Sequence, residues 1–171
     1  MWYVVQTIKG KERMIAAQIK NDVIKDNEET FIIESERMYR IKGEWIKERK
    51  PLFPGYVFVA TEDPTDFRIR LRSNRKLYML RILGADKKAE PIRPDEEEFL
   101  RQMGGEDHIV SYSEGFCVGD RIVVEKGPLA GKEGIIKKTD RHRRMAIIGV
   151  MLMGKETDVH IGLGLVKSTP A

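Results

Sequence analysis

The pattern of apolar residues changes near residue 105, and this change limits the folds open to the chain. Before it, strand-like and helix-like runs alternate: residues 2–8 are rich in β-branched and aromatic side chains, and Ile15 and Ile19 follow a helical spacing. After it, short β-rich runs separated by turns follow one another without a helical period. The chain therefore predicts an α/β sandwich with a mainly antiparallel sheet, followed by a small β-barrel.

The segment 105–115 begins within the glycine pair Gly104-Gly105 and shows no sustained periodicity. Such a segment is typical of a linker. We expect a first domain over residues 1–104, a linker over 105–115 and a second domain over 116–171. The second domain has eight candidate core residues: Ile122, Val124, Ile135, Ile147, Val150, Leu152, Val159 and Leu165.

The composition argues against membrane and metal-dependent classes of protein. Apolar residues make up 41% of the 171 residues, enough for a core, but no apolar run approaches the roughly 18 residues of a membrane span. The N-terminus lacks the charged region of a secretory signal, so we expect a cytoplasmic protein. One cysteine and three histidines make a zinc site improbable, and we expect no metal and no cofactor. No coiled-coil pattern argues for more than a monomer.

The motifs that support catalysis are incomplete in this chain. The stretch from Gly127 to Lys132 has three residues between its glycines, and Glu133 follows the lysine, whereas a phosphate loop needs four residues and then Ser or Thr. Gly162-Leu-Gly164 lacks the third glycine of a dinucleotide site. We therefore expect a binding protein and not an enzyme, with no catalytic residue.

A dense basic turn lies in the second half of the chain. Only Asp140 opposes its charges, and it joins the end of one strand to the start of the next. Strand alternation predicts that Lys137 and Lys138 face opposite sides. Arginine in a rigid turn suits phosphate contacts, so we predict RNA binding here, although a solvated turn is the alternative. The predicted RNA-binding residues are Lys137, Lys138, Arg141, His142, Arg143 and Arg144.

Two further basic regions carry weaker signals. Residues 37–50 interleave arginine and lysine with Tyr39 and Trp45, but four glutamates nearly cancel the charge. We interpret this region as an exposed hairpin with cross-strand ion pairs. Residues 68–76 hold alternate arginines that cannot share one helix face, so only some of them could meet a nucleic acid strand.

The most specific stretch of the chain runs from Pro51 to Val59. Pro54-Gly55 bends the chain where a strand begins and can present Phe53 and Tyr56 at a sheet edge. The aromatic side chains either fill the core or form an exposed pocket for a partner helix.

With this stretch, the chain resembles the NusG family of transcription elongation factors. The first of three signatures is Trp2-Tyr3-Val4-Val5 before a helix, and the second is Phe53-Pro54-Gly55-Tyr56-Val57 before a strand. The third is the KOW repeat over residues 118–134. Their order, with a linker between, covers nearly the whole chain and is highly specific.

The resemblance implies an N-terminal NGN domain and a five-stranded KOW barrel. It implies that an aromatic pocket receives the clamp helices of the large subunit of RNA polymerase, and that the domain contacts the non-template DNA strand. The residues that match the polymerase site are Trp2, Phe53, Pro54, Gly55, Tyr56 and Phe58. Those that lie roughly at the DNA contact are Asn74, Arg75 and Lys76.

The basic turn resembles the LoaP type of specialised paralogue more than the general factor. Such a factor is an antiterminator of selected operons and is recruited by an RNA hairpin in an operon leader. The first alternative is a general factor whose KOW domain bridges polymerase to ribosomal protein S10 or to the termination factor Rho. The second is a ribosome-associated KOW protein that binds RNA and does not meet polymerase.

Overall fold

The computed structural model describes residues 1–84 and 88–167. Its helices are α1 (Glu12–Asp22), α2 (Pro64–Arg72) and α3 (Pro94–Gly104), and a 3₁₀ turn covers Glu133–Ile135. The strands of the first half are β1 (Trp2–Gln6), β2 (Glu29–Phe31), β3 (Glu34–Ile41), β4 (Glu44–Pro51), β5 (Tyr56–Ala60) and β6 (Arg81–Ile82). The remaining strands are β7 (Ile109–Val110), β8 (Ser113–Val118), β9 (Arg121–Lys126), β10 (Ile136–Asp140), β11 (Met145–Leu152) and β12 (Lys155–Lys167). None of the described helices is long and apolar enough to cross a bilayer.

Contacts between Cα atoms divide the chain into two units. The first unit contains Met1–Ile33 and Phe53–Glu98, and the second contains Glu34–Leu52 and the chain from Phe99 onward. The β3–β4 hairpin therefore belongs to the second unit, although it precedes most of the first unit's helices in the sequence. The domain ranges 1–104 and 116–171 include residues outside the described part of the chain and stay a prediction.

The first unit is an antiparallel sheet with helices against it, which confirms the predicted α/β sandwich. Its strand order is β2-β5-β1-β6. In the β1–β5 register, Val5 lies opposite Val57 and Val4 opposite Phe58, so the sheet has an aliphatic and an aromatic face. The aliphatic face packs with Ile19 of α1 and Phe67 of α2, both at most 1% exposed, in one buried cluster.

Helix α2 begins where its sequence predicts. Asp63 is the N-cap, and its Oδ1 accepts a hydrogen bond from the Asp66 amide at 3.0 Å. Pro64 occupies the first turn, where a missing N–H has no intrahelical partner to lose. These two residues set the start of the helix, because together they satisfy its geometry without any distant contact.

The second unit holds a five-stranded sheet of order β10-β11-β12-β8-β9. Within the described residues, the hydrogen-bonded ladder leaves β10 and β9 at its two edges, and the 3₁₀ turn lies against β9 and β11. The arrangement is compatible with a KOW barrel, although this ladder is not closed. The predicted fold class is confirmed.

The alternation of buried and less buried residues along β11 corrects part of the predicted core of this sheet. Four of the eight candidates are buried: Val124, Val150, Leu152 and Val159. Ile147 is only partly buried, because the inward-facing residues of β11 are its neighbours Ala146 and Ile148. The prediction therefore placed Ile147 on the wrong face of the strand. The other three are also partly buried: Ile122, Ile135 and Leu165.

The hairpin predicted over residues 37–50 is observed as β3 and β4, which turn at Lys42-Gly43. The φ angle is 51° at Lys42 and 82° at Gly43. Glycine adopts positive φ angles without a steric cost, which suits Gly43 to this turn. The hairpin pairs with β7 in parallel through Ser35 and Val110. Strand β7 and the first residues of β8 lie within the segment 105–115, so this expected linker contains regular structure.

Close contacts fix the hairpin against β12 within the second unit. Ser35 Oγ donates a hydrogen bond to the His160 carbonyl oxygen at 3.2 Å. The Tyr112 amide donates to Glu36 Oε1 at 3.3 Å. A Cβ atom at Gly162 would collide with the Glu36 carbonyl oxygen and the Tyr112 ring, so this approach requires glycine on β12. The hairpin is therefore a built part of the unit and not an isolated ribbon.

Candidate functional site

The aromatic face of the first unit gathers the rings that the resemblance assigns to polymerase. The Trp2 and Phe31 ring centroids are 4.8 Å apart at an interplanar angle of 68°, and Phe31 stacks on Phe58 at 5.8 Å. Phe53 lies 5.8 Å from Phe58. These rings and Tyr56 form the aromatic cluster. Phe31 is not among the residues predicted for this site, although it begins the apolar run Phe31-Ile32-Ile33, which is a signal of burial.

A tight turn positions Phe53 and Tyr56 at the edge of this cluster. The Tyr56 amide donates to the Phe53 carbonyl oxygen at 3.1 Å, and Gly55 has a φ of 86°, so Pro54-Gly55 forms the centre of a turn of type II geometry. The Gly55 amide donates to Oε2 of the buried Glu12 at 3.1 Å. The turn is thus anchored by the first turn of α1, and the rings at its ends are held 6.4 Å apart.

The aromatic cluster is largely buried. Trp2, Phe53 and Phe58 are 1%, 3% and 0% exposed, and Tyr56 is partly exposed. Of the two interpretations of this stretch, the structure therefore shows the rings in the core arrangement. Tyr56 is the predicted polymerase-contacting ring that a partner can reach.

The residues expected at DNA lie just after α2. Asn74 Oδ1 accepts a hydrogen bond from the Lys76 amide at 2.9 Å, which closes a small turn that displays Arg75 and Lys76 as exposed cations. Arg70, four residues earlier, is different: its guanidinium donates to both Glu28 oxygens, at 2.7 and 2.8 Å. It also donates to Asp66 Oδ2 at 3.0 Å. Arg70 is therefore a structural cation.

These contacts change the acidity of Glu28. Burial raises the pKa of the Glu28 carboxyl, but hydrogen bonds from Arg70, Thr61 and the Lys25 amide, with the charge of Arg70, outweigh it. The pKa therefore lies below its ordinary value. Hydrogen bonds and charge interactions with Glu28 and Asp66 raise the pKa of the Arg70 guanidinium, although burial opposes this change.

The basic turn of the second unit is held by its own backbone and by Asp140. The Arg143 amide donates to Asp140 Oδ1 at 3.0 Å, and Arg141 and Arg143 remain exposed, as does His142. Arg144 is partly buried and has a φ of 53°, a left-handed backbone that arginine rarely adopts. The turn thus exposes the side chains of residues 141–143, whereas the side chain of Arg144 is partly buried.

The two predicted lysines differ from each other. A β-bulge shifts the β10–β11 register between Ile136 and Lys138. Lys137 and Lys138 are therefore both exposed, and the prediction that they face opposite sides of the strand is wrong. Lys137 Nζ lies 2.7 Å from Asp158 Oδ1 and 3.1 Å from Glu156 Oε1. These two hydrogen bonds raise the pKa of Lys137.

Arg144 joins the basic turn to the β3–β4 hairpin. Its guanidinium lies 4.1 Å from the centroid of the Trp45 ring and hydrogen-bonds to Tyr112. Burial raises the pKa of Tyr112, which the Arg144 charge partly opposes. The basic region 37–50 and the basic turn thus meet at Trp45. The separation of these regions along the chain hides this contact, and the aromatic residues among the basic ones are its only signal in the sequence.

A groove of about 530 Å³ lies where these two elements meet. We call it the Trp45 groove. Its volume is within the roughly 300–1,000 Å³ of small-molecule sites. The residues that line it are Arg37, Met38, Tyr39, Arg40, Trp45, His142, Arg143 and Met145. The groove therefore combines cations with flat or flexible apolar surfaces, a combination suited to nucleotides.

Metal chemistry has no evident site in the described residues. Among residues 1–84 and 88–167, no three His, Cys, Asp or Glu side chains are grouped as metal ligands. Cys117 is a free, partly buried thiol.

The comparisons with known proteins identify the family. The family model described as "Transcription termination factor nusG" matches residues 1–101. A transcription termination/antitermination protein NusG of Staphylococcus carnosus is 28% identical over 94% of this chain and 91% of its own length. Relatives with the same description in Thermus thermophilus and Bacillus subtilis are 25% and 27% identical, each over 94% of this chain and 94% and 93% of their own lengths. The chain belongs to the NusG family of transcription termination/antitermination factors.

Proposed function

We propose that this protein is an antitermination factor that binds elongating RNA polymerase through its N-terminal region and RNA through its basic turn. It suppresses pausing and termination on selected operons, and an RNA hairpin in the leader recruits it. The observation that carries the proposal is the basic turn, where Arg141, His142 and Arg143 are exposed and Asp140 is the neighbouring carboxylate.

The basic turn has the chemistry of a surface that binds RNA phosphates. Each phosphate that an arginine neutralises releases counterions, which gives affinity that falls with salt. Double-stranded RNA is recognised mainly through its shape, its phosphates and its 2′-hydroxyl groups, and arginine forks suit these groups. Lys138 can add a further contact, whereas the charge of Lys137 is balanced by Glu156 and Asp158. The proposal therefore depends on the arginines.

The backbone of Arg144 supports a functional role for its side chain. A left-handed conformation costs a non-glycine residue about 1–3 kcal/mol. Glycine or asparagine would fit this position with less strain. The side chain that occupies it instead stacks on Trp45 and hydrogen-bonds to Tyr112. We infer that this strain is retained because Arg144 supports the RNA surface.

The polymerase contact is supported by the aromatic cluster. Helices dock on surfaces that combine a firm hydrophobic base with accessible anchors, and tyrosine is a frequent anchor. Buried Phe53 and Phe58 provide the base, and partly exposed Tyr56 provides the anchor for the clamp helices. Arg75 and Lys76 are exposed beside Asn74, where they can contact the non-template DNA strand.

A second candidate is a general factor whose KOW domain bridges polymerase to ribosomal protein S10 or Rho. The observation that favours it is apolar exposure in the second unit, where Val118, Met151 and Val166 are 46%, 44% and 67% exposed. Such side chains suit a protein partner more than RNA.

Transcription in vitro tests both contacts of the leading proposal. The template carries the leader of the protein's own operon before an intrinsic terminator, and readthrough by bacterial RNA polymerase is measured. Removing the polymerase anchor in Tyr56→Ala lowers readthrough on every template. Arg141→Glu with Arg143→Glu lowers it only when the leader is present, because this variant loses recruitment by RNA.

Matched controls separate these effects from changes in folding or charge. Tyr78→Ala removes a tyrosine that is 57% exposed in the same unit as Tyr56 and leaves readthrough unchanged. Lys9→Glu with Lys11→Glu makes the same change in net charge at exposed positions two residues apart. Equal readthrough for the wild type and the arginine variant, with and without the leader, would overturn recruitment by RNA and favour the bridging factor.

A further inference from the structure

We propose that the Trp45 groove binds one unpaired nucleotide of the RNA that the basic turn holds. The base packs beside the indole of Trp45, and its phosphate contacts Arg143 and Arg40. The inference rests on the proposed RNA binding and adds the β3–β4 hairpin to the RNA surface. It assigns a binding role to a region that the sequence alone indicates to be an exposed hairpin.

The lining of the groove has the chemistry of a nucleotide site. Arg40 and Arg143 offer positive charge, and Trp45 offers a flat ring, while methionine side chains adapt to an irregular apolar ligand. None of the described lining residues is acidic. A ligand with both an aromatic plane and a negative charge satisfies this lining, and a nucleotide has both.

Trp45 is partly exposed and lines the groove that such a base would enter. Arg144 covers the indole from 4.1 Å, yet Arg144 lines a neighbouring groove and is not among the residues of the Trp45 groove. We infer that the base packs against the part of the indole that lines the Trp45 groove and that Arg144 leaves uncovered. Arg40 is directly opposite Trp45 in the β3–β4 register, with its guanidinium 5.9 Å from the ring centroid.

Arg37 brings a buried hydrogen-bond donor to the same groove. Its Nε is buried, and the structure gives it no hydrogen-bond partner among the described residues. A buried donor without a partner destabilises the folded state, so such groups are rare in native proteins. A small rotation of this side chain, which lines the groove, would offer that donor to a base or phosphate oxygen.

The groove is preformed. Its hairpin wall is fixed by the Ser35 hydrogen bond to the His160 carbonyl oxygen, and its turn wall is fixed by the Asp140 contact to the Arg143 amide. A preformed site loses little conformational entropy when a ligand binds. RNA is favoured over a free nucleotide because Arg143 and His142 belong both to the groove and to the basic turn, so one strand can contact both.

Paired RNA hairpins test the inference. Two hairpins have the same stem, and one carries a single bulged 2-aminopurine, an adenine analogue whose emission falls when it stacks. We expect the full-length protein to bind the bulged hairpin roughly 10-fold more tightly than the paired one, because base–aromatic stacking supplies about 5- to 150-fold per base. We also expect the emission of 2-aminopurine to fall on binding.

Variants of the hairpin wall locate the effect. Trp45→Ala binds both hairpins with the affinity that the wild type has for the paired one, and Trp45→Phe keeps part of the preference. Ile46→Ala is the matched control, since Ile46 is 40% exposed on the other face of the same strand and its variant keeps the full preference. The mononucleotide AMP, added alone, binds weakly and does not compete with the bulged hairpin at equal concentration.

The outcomes distinguish this inference from the proposed function. Binding of both hairpins with equal affinity, unchanged emission and no effect of Trp45→Ala would overturn the inference alone, provided that Arg141→Glu with Arg143→Glu weakens both complexes. Binding of neither hairpin would overturn both. If AMP binds as tightly as the bulged hairpin, the ligand of the groove is a free nucleotide and not RNA, and the inference is overturned.

Discussion

Aromatic rings and arginines occur together in both units, but their surroundings differ. In the first unit, Trp2 and Phe58 are 1% and 0% exposed, and Arg70 is paired with Glu28 and Asp66. In the second unit, Trp45 is partly exposed, and Arg144 stacks on it from 4.1 Å. The same residue types thus stabilise a core in one place and form an open surface in the other.

This difference shows which property separates a structural cluster from a recognition surface. A buried ring has already gained the free energy of leaving water, and a paired arginine has already lost its hydration to a carboxylate. Neither group therefore gains much further free energy when a partner binds. A half-exposed ring beside exposed cations can still gain from both effects on binding, and the ion pair that Arg143 of the groove makes, from its Nε to Asp140 Oδ2 at 3.9 Å, is long and exposed to solvent. The Trp45 groove is therefore the stronger candidate for a ligand.

The largest expected effect is on the stability of the aromatic cluster. Phe58→Ala removes a fully buried ring and leaves a cavity, so we expect the free energy of unfolding to fall by about 3–5 kcal/mol. Urea denaturation followed by circular dichroism measures it. Trp45→Ala, a comparable truncation at a partly exposed ring, lowers it by less than about 1.5 kcal/mol. Equal losses for the two variants would remove the distinction between the clusters.

The next effect concerns the paired arginine. Glu28→Gln leaves the Arg70 charge without its main partner, so we expect a loss of about 3 kcal/mol near pH 7. Because the pKa of Glu28 is lowered on folding, its stabilisation is present above the unfolded-state pKa of about 4.3 and is lost as the pH falls through the folded-state value.

The pH dependence gives this prediction its check. Unfolding is measured in urea from pH 7 to pH 3, and the difference between wild type and Glu28→Gln narrows toward the acid end. Glu62→Gln is the control, since the side chain of Glu62 is 84% exposed and its ion pair with the N-terminus adds little. A difference that stays constant with pH would mean that Glu28 stabilises the fold by packing and not by its charge.

The smallest expected effect concerns the contact between Trp45 and Arg144. A double-mutant cycle with Trp45→Ala and Arg144→Gln isolates the contact between the indole and the guanidinium. We expect a coupling free energy of about 0.5–1 kcal/mol, as for cation–π pairs that remain near solvent. A coupling near zero would show that Arg144 is held by Tyr112 and not by the indole.

Much of the fold follows from local chemistry that can be read along the chain. Asp63 and Pro64 predict the start of α2, Lys42-Gly43 predicts the hairpin turn, and Pro54-Gly55 predicts the bend before β5. The basic turn can likewise be recognised from adjacent residues. The same is true of the incomplete phosphate-loop and dinucleotide motifs. In each case a few adjacent residues set the backbone or the charge without help from distant contacts.

Tertiary contacts decided the rest. The β3–β4 hairpin lies against β12 because Gly162 leaves room for the Glu36 carbonyl and the Tyr112 ring, and no local pattern predicts that approach. The bulge at Lys137, the buried state of Phe53 and the groove at Trp45 depend in the same way on which segments pack together. Adjacent residues in the sequence set the turns and the local charge. Packing between segments far apart in the sequence decides which side chains are buried and which surfaces they share.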